Sequence, residues 1–255
     1  MIQLKRLTKC YGQDEVVSDL TLAVSTGEIL VVLGGSGSGK TTILKMINRL
    51  VEPTTGTVQI NGTDTSTIPP HQLRRQIGYV FQQVGLFPHM TVSENVAVTP
   101  SLLGWKPARI RDLVDELLEL VELNPILVRN KKPNELSGGQ QQRVGVARAL
   151  AAGPEVMLLD EPFGALDPLT RGRLQESFKT IQHEIGLTAV FVTHDMVEAL
   201  MLGDRIAIMH SGKLIQSGTP RELLTQPATD YVKDLMSTPR RQAAIVSKLA
   251  NELTT

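Results

Sequence analysis

The stretch that decides the fold is Gly34-Gly35-Ser36-Gly37-Ser38-Gly39-Lys40-Thr41-Thr42. It follows a short apolar run, Ile29–Leu33, and precedes Thr42–Leu50, which we predict to be a helix. The spacing G-x-x-x-x-G-K-[ST] between a strand and a helix is typical of a loop that binds phosphate. Glycine permits backbone conformations in which several N–H groups point at one anion, and the helix start adds partial positive charge. In this pattern Lys40 reaches the β- and γ-phosphates, and Thr41 offers its hydroxyl to Mg²⁺.

Composition narrows the class of protein but does not identify the reaction. The 255 residues include 26 basic and 26 acidic side chains, so no overall charge favours a nucleic-acid partner. The one cysteine, Cys10, cannot form an intrachain disulfide, which fits a reducing compartment. The apolar runs are too short to span a bilayer, and the first residues lack the apolar core of a signal peptide. We expect a cytoplasmic protein that meets a membrane through partners.

The N-terminal region is predicted to form strands joined by tight turns. We expect strands at Ile2–Leu7, Val16–Val24 and Glu28–Leu33, and a hairpin at Asn61-Gly62. Tyr11 lies between the first two strands and allows two interpretations. It is either a buried aromatic at a strand end or a flat ring on which a purine stacks.

Residues 86–152 are predicted to be mostly helical. The proline-broken apolar segment Leu86–Val92 is either a docking surface or a packed loop. Trp105 is interpreted as an anchor in a loop, and a stripe at helical spacing after it as core. A helix is predicted to start within Leu136-Ser137-Gly138-Gly139-Gln140-Gln141-Gln142-Arg143. This start either binds an anion or is an ordinary turn into a helix. The stripe comprises Ile110, Leu113, Val114, Leu117, Leu118 and Val121.

Residues 155–210 return to alternating strands and helices. Val156–Leu159 is wholly apolar, as in a strand buried on both faces, and it ends at Asp160-Glu161. Carboxylates at the carboxyl end of a buried parallel strand lie where such sheets bind ligands. A second β-rich run, Thr188–Thr193, ends at His194. Asp167 is predicted to cap the helix between these runs.

Beyond residue 218 the chain is predicted to contain amphipathic segments at Arg221–Leu224 and Tyr231–Met236. In the tail, Arg240–Leu253, apolar residues recur every four positions. The tail is either a docking helix or a solvated end.

Taken together and in order, these motifs resemble the ATP-binding subunit of ABC transporters over residues 1–218. The motifs are the glycine-rich loop, Gln82 after a strand, LSGGQQQR at 136–143, VMLLDEP at 156–162 and GALD at 164–167. Gly35 departs from the residue that the family often carries, at a position where we expect no effect.

The resemblance implies an α/β fold, namely a P-loop NTPase (RecA-like) core with an antiparallel β subdomain and an inserted α-helical subdomain. The core and β subdomain are expected at 1–85 and 155–218, and the helical signature subdomain at 86–154. A C-terminal helical extension is expected at 219–255.

The resemblance also implies an ATPase that uses ATP and Mg²⁺, and it assigns roles to residues of this chain. Glu161 is the expected general base, and His194, Lys40 and Gln82 are the other expected catalytic residues. Thr41, Gln82 and Asp160 are expected at the metal. The expected nucleotide-binding residues are Tyr11, Gly34, Gly35, Ser36, Gly37, Ser38, Gly39, Lys40, Thr41, Thr42, Ser137, Gly138, Gly139, Gln140 and Asp167.

The implied partners are a second copy of the chain, integral membrane permease subunits and, indirectly, a solute-binding protein. The two copies are expected to face each other head to tail, so that Ser137 and Gly139 of one copy would meet the γ-phosphate bound by the other. The 86–100 surface is expected to contact the permease at the cytoplasmic face of the membrane. We expect no nucleic-acid partner.

Lys45–Pro53 resembles subunits of bacterial osmoprotectant importers, which carry glycine betaine, choline or related quaternary amines. The alternatives are an importer of another solute (an amino acid, a sugar or an ion), a soluble ABC protein outside transport, and a small-molecule kinase. Some members of the family carry a nucleotide-sensing extension after the ATPase, and we expect none in this chain.

Overall fold

A six-stranded sheet built from the predicted apolar runs lies at the centre of the structure, a computed structural model that describes residues 1–237. The strand order is β10-β9-β3-β8-β7-β6, in which β9 to β6 are parallel and β10 is an antiparallel edge strand. The tail predicted at Arg240–Leu253 lies outside the described residues. The strands are β3 (Ile29–Gly34), β6 (Ile77–Val80), β7 (Val156–Asp160), β8 (Thr188–Thr193), β9 (Arg205–His210) and β10 (Lys213–Gly218).

The central strands are apolar throughout because both faces of the sheet are covered. In β3 the side chains of Val31 and Leu33 enter one core, whereas Leu30 and Val32 enter the core on the opposite face. The same alternation holds in β7 and β8. A strand buried on both faces gains from apolar residues at every position, which explains the continuous runs in the sequence.

A second, antiparallel sheet has the order β2-β1-β4-β5 and packs on one of these two cores. The predicted Asn61-Gly62 turn connects its last two strands, with φ of 52° and 77°, the left-handed values that this turn requires. The strands are β1 (Ile2–Tyr11), β2 (Asp14–Val24), β4 (Thr55–Ile60) and β5 (Thr63–Asp64).

Some helices flank the central sheet, and a second group is inserted in the sequence after β6 and before β7. In that group α3, α4 and α6 pack on one another, and Val114, Leu118 and Val144 are buried there. The predicted stripe is therefore core, as expected. The helices are α1 (Lys40–Ile47), α2 (Pro70–Gln76), α3 (Val92–Leu102), α4 (Pro107–Leu120), α5 (Pro125–Val128), α6 (Gly138–Leu150), α7 (Pro168–Ile185), α8 (Met196–Leu202) and α9 (Pro220–Thr225).

Two sequence predictions require correction. The helix expected at Thr42–Leu50 is α1, which begins at Lys40 and ends at Ile47, because Asn48 caps it and Arg49 turns away with φ 50°. Tyr11 is 48% exposed, so the buried interpretation of this aromatic was wrong.

After β10, α9 and a helical segment at 230–237 pack on the first core through Leu223, Val232 and Met236. The described part of the chain thus contains the parallel core, the antiparallel sheet and the inserted helices that were predicted. The three subdomain boundaries stay predictions. Among residues 1–237, no helix is both long and apolar enough to cross a membrane.

Candidate functional site

Two glycines of segment 34–42, Gly34 and Gly39, have no room for a Cβ. Gly39 has φ 92°, and a Cβ there would lie 2.5 Å from the backbone oxygen of Val16. A Cβ at Gly34 would lie 2.3 Å from the backbone oxygen of Met209. Gly35 has open space around it, which agrees with the expectation that its departure from the family pattern has no effect.

Lys40 is buried inside this loop. Its Nζ donates hydrogen bonds to the backbone oxygens of Gly34 and Gly35, both at 2.7 Å. Burial lowers the pKa of Lys40, and the nearby carboxylates of Glu161 and Asp160 oppose that shift. The loop carbonyls therefore hold the ammonium group beside the backbone N–H groups of the helix start, where positive charge can meet a phosphate.

Two carboxylates follow β7 at the same edge of the sheet. Asp160 is buried, and its Oδ1 accepts a hydrogen bond from Thr41 Oγ1 at 3.0 Å. Burial raises the pKa of Asp160. A hydroxyl and a carboxylate oxygen at this separation are ligands that Mg²⁺ prefers, so the donor set fits that cation.

The second carboxylate, Glu161, lies between the side chains of Gln82 and His194. Gln82 Nε2 is 3.4 Å from Glu161 Oε2, and His194 Nδ1 is 3.0 Å from Glu161 Oε1. These residues meet because β6, β7 and β8 are parallel neighbours whose carboxyl ends share one edge. Glu161 itself has φ 48°, a left-handed conformation that is uncommon outside glycine and clusters at functional sites.

The other predicted residues do not join this group within the described chain. Ser137 and Gln140 form a capping box at the start of α6, with Ser137 Oγ accepting from Gln140 N and Gln140 Oε1 accepting from Ser137 N. Asp167 caps α7, and hydrogen bonds from Thr170 lower its pKa. Neither the capping box nor Asp167 has a hydrogen bond to loop 34–42 within residues 1–237.

Tyr11 is also apart from the loop. One face of its ring lies near the ammonium group of Lys9, with Nζ 4.9 Å from the ring centroid. Since the ring is half exposed, the purine-stacking interpretation stays open, and it stays a prediction.

Sequence reasoning missed the roles of three buried polar side chains. Asn95 is fully buried and makes four hydrogen bonds to the backbone of 87–91. Gln142 is buried against the segment after Glu161, and Glu198 accepts a hydrogen bond from Gln175. The hydrogen-bond partners of these side chains are remote in sequence or lie in irregular backbone. No local sequence pattern therefore predicted that the side chains are buried. Gln142 had one signal, its place in the LSGGQQQR motif.

Comparison with known proteins identifies the family of the chain. Residues 17–164 match the family model described as ABC transporter. The chain is 51% identical over 241 residues to the carnitine transport ATP-binding protein OpuCA of Listeria monocytogenes, covering 94% of this chain and 60% of that protein. It is 49% identical over 233 residues to the glycine betaine uptake system ATP-binding protein YehX of Escherichia coli (strain K12), covering 91% and 75% respectively. The chain thus spans about three fifths of the length of the Listeria relative.

Among solved structures, the ATP-binding cassette MJ0796, in a dimeric post-hydrolysis state bound to ADP and Pi, superimposes with a TM-score of 0.81. The sequence identity is 38%, and the match covers 87% of this chain and 99% of that one. The predicted fold class is confirmed by this match. Because the family model spans the loop, both carboxylates and the LSGGQQQR segment, the chain belongs to the ABC transporter family.

Proposed function

We propose that the chain hydrolyses ATP and that this reaction drives import of a small solute across a membrane. The observation that carries the proposal is the position of Glu161. Its carboxylate directly follows Asp160, and it lies 3.0 Å from His194 Nδ1 and 3.4 Å from Gln82 Nε2. A carboxylate placed next to a phosphate loop and aligned by two further side chains is arranged to accept a proton from an attacking water.

The reaction depends on positioning and charge stabilisation more than on covalent chemistry. Lys40 and the N–H groups of 34–42 hold the phosphates, and Thr41, Gln82 and Asp160 would hold Mg²⁺. When held by these residues, Mg²⁺ would neutralise negative charge on the phosphate oxygens. Glu161 takes the proton of the water, while His194 orients both the carboxylate and the γ-phosphate.

A second copy of the chain completes the site. Ser137 and Gly138 are exposed at the start of α6, and Ser137 bonds to Gln140 of its own helix rather than to loop 34–42 among residues 1–237. Such a helix start is a ready anion site, so it can meet the γ-phosphate bound by a facing copy. The dimeric state of the MJ0796 cassette supports this arrangement.

We infer a membrane partner from a groove between the central sheet and the inserted helices. Asn48 Oδ1 and Tyr79 Oη are buried at this groove and have no hydrogen-bond partner among residues 1–237. Phe87 is 41% exposed at its rim, and Arg148 crosses to the backbone of Val84 and Gly85. The exposed ring of Phe87 is the group at this groove that an apolar segment of a permease, at the cytoplasmic face of the membrane, could cover.

For the solute we favour osmoprotectants. The relatives named for carnitine and glycine betaine carry this inference, together with the Lys45–Pro53 resemblance. Both compounds are quaternary amines. A solute-binding protein is expected to deliver the solute to the permease from outside.

The proposal is tested in two steps. The purified chain is first assayed for phosphate release from ATP with Mg²⁺, and Glu161→Gln should retain ATP binding while turnover falls by about 10²–10⁴-fold. The chain is then co-expressed with candidate permease subunits from the same organism, and we expect a membrane complex whose ATP hydrolysis supports uptake of labelled glycine betaine into vesicles. Turnover of Glu161→Gln near that of wild type refutes the catalytic assignment, and failure to associate with any membrane subunit refutes the transport role.

A further inference from the structure

The geometry points to Gln142 as a positioning residue that holds the backbone of Glu161 from the LSGGQQQR helix. This inference rests on the proposed function, since it explains how the proposed base keeps its place. Gln142 lies in the second turn of α6, whereas Glu161 follows β7 in the central sheet. The two residues belong to different layers of the molecule.

Gln142 uses both ends of its amide. Its Nε2 donates a hydrogen bond to the backbone oxygen of Glu161 at 3.2 Å, and its Oε1 accepts one from the backbone N–H of Ala165 at 3.1 Å. The side chain is 3% exposed. Such a buried, two-ended contact fixes the distance between the helix and both ends of segment 161–165, because leaving any of these groups unpaired is costly.

The backbone of Glu161 needs this support because its φ is 48°. Its N–H donates to the oxygen of Val192 at 3.0 Å, and its carbonyl also accepts from Gly164 N at 3.3 Å. Strained conformations persist where the surroundings over-determine them. Among residues 1–237, the hydrogen bond from Gln142 is the one that a side chain makes to the backbone of Glu161.

A second contact joins the same two segments. A Cβ at Gly139 would lie 3.0 Å from Leu166 Cδ2, so α6 approaches the 161–167 segment closely at its first turn as well. The start of α6 is proposed to meet the partner's nucleotide. The same helix therefore contacts the segment that carries Glu161, the proposed base of its own site. Movement of α6 is transmitted to Glu161 through Gln142.

The test is a double-mutant cycle between Gln142→Met and Glu161→Gln. Methionine has a similar length and forms neither hydrogen bond. We expect Gln142→Met to lower kcat by about 10–100-fold, because small displacements of a catalytic group have effects of this size, while KM for ATP stays near the wild-type value. In the Glu161→Gln background, single-turnover hydrolysis should change less than about twofold on adding Gln142→Met, since groups that act through one another are non-additive.

Gln142→Glu provides a second variant that keeps side-chain size. It retains the acceptor for Ala165 N–H but loses the donor to Glu161, so kcat should fall as it does in Gln142→Met. The matched control is Gln216→Met. Gln216 makes the same two-ended contact elsewhere, donating to Gln226 O at 3.0 Å and accepting from Ala228 N at 2.7 Å, so its loss should leave kcat unchanged.

ATP-dependent dimerisation separates positioning from general damage to the helix. We expect the Glu161→Gln, Gln142→Met double variant to dimerise with ATP as fully as Glu161→Gln alone. Equal losses of kcat in both backgrounds, an unchanged kcat in Gln142→Met, or loss of dimerisation would each overturn the inference. A wild-type chain that does not hydrolyse ATP overturns the proposed function instead, so the two failures are distinguishable.

Discussion

Replacing Asn95 with leucine removes the side chain that organises segment 87–91. Asn95 Oδ1 accepts from Phe87 N at 2.8 Å, and its Nδ2 donates to the backbone oxygens of Phe87, Met90 and Thr91 at 3.2, 3.2 and 2.9 Å. The side chain is fully buried. The backbone of this proline-broken segment forms no helix or strand, and Asn95 supplies hydrogen bonds in their place. Asn95 thereby positions Phe87 at the proposed permease groove.

The size of the effect follows from which partners remain. Phe87 O also accepts from Met90 N, and Thr91 O from the backbone N–H of residue 95, so both keep a bond after the substitution. Phe87 N and Met90 O lose the one partner they have among residues 1–237. Each unpaired buried group costs about 1–3 kcal/mol, and the exposure of Phe87 and His89 lets water recover part of that cost. We expect Asn95→Leu to lower the free energy of unfolding by about 2–4 kcal/mol.

Urea unfolding at constant m-value measures this change as a shift in the midpoint. Asn95→Asp is the control, since it keeps an acceptor for Phe87 N but turns a carboxylate toward three carbonyl oxygens. Burial beside those oxygens should raise the pKa of the new carboxyl, so its destabilisation should grow as pH rises. A change in Asn95→Leu below about 0.5 kcal/mol, the range of ordinary surface substitutions, would refute the reasoning.

Three further predictions concern the loop and the buried acid on α8. Lys40→Ala should weaken ATP binding as well as turnover, because Lys40 is the one side-chain cation in 34–42, and equal affinities by titration calorimetry would contradict this. Gly39→Ala should lower thermal stability more than Gly37→Ala, because both positions have positive φ but only at Gly39 does a Cβ meet backbone, the oxygen of Val16. Burial raises the pKa of Glu198, so its contribution to stability is complete below the unfolded pKa of about 4.3 and is lost as pH rises through the folded pKa. The melting temperature of Glu198→Gln relative to wild type should therefore increase from about pH 4 to pH 8, and a flat or falling difference would contradict the assignment.

The central sheet could be predicted because its signals are local. Strands buried on both faces give continuous apolar runs, and β7 and β8 lie where Val156–Leu159 and Thr188–Thr193 placed them. The start of α7 was also predicted, since Asp167 caps it.

The first strands were predicted less well. β1 extends to Tyr11, four residues beyond the predicted end, and its pairing with β2 shifts register where Arg6 and Asp19 take φ of 49° and 44°. Neither residue is glycine, and each side chain is exposed on a surface strand. Propensity therefore gave no sign of the irregularity, which arises from pairing between strands.

Some features of the site could be predicted from the sequence and others could not. The motifs predicted Lys40, Thr41, Asp160, Glu161 and His194, and the structure brings these five together. The left-handed conformation of Glu161 and its hydrogen bond with α6 were not predictable. Both depend on backbone geometry that is set only when the sheet and the helices pack together. The half of the site that a second copy would supply stays a prediction.

The measurement that tests the account most directly is sedimentation of Glu161→Gln with and without ATP. Because this variant is expected to bind ATP and to hydrolyse it slowly, ATP should convert it from monomer to dimer. Adding Ser137→Arg to the same chain should abolish the dimer while leaving ATP binding to loop 34–42 intact, since the arginine would block the helix start that is proposed to meet the partner's nucleotide. If Glu161→Gln binds ATP yet stays monomeric, or if the Ser137→Arg double variant dimerises equally well, the shared two-copy site is contradicted.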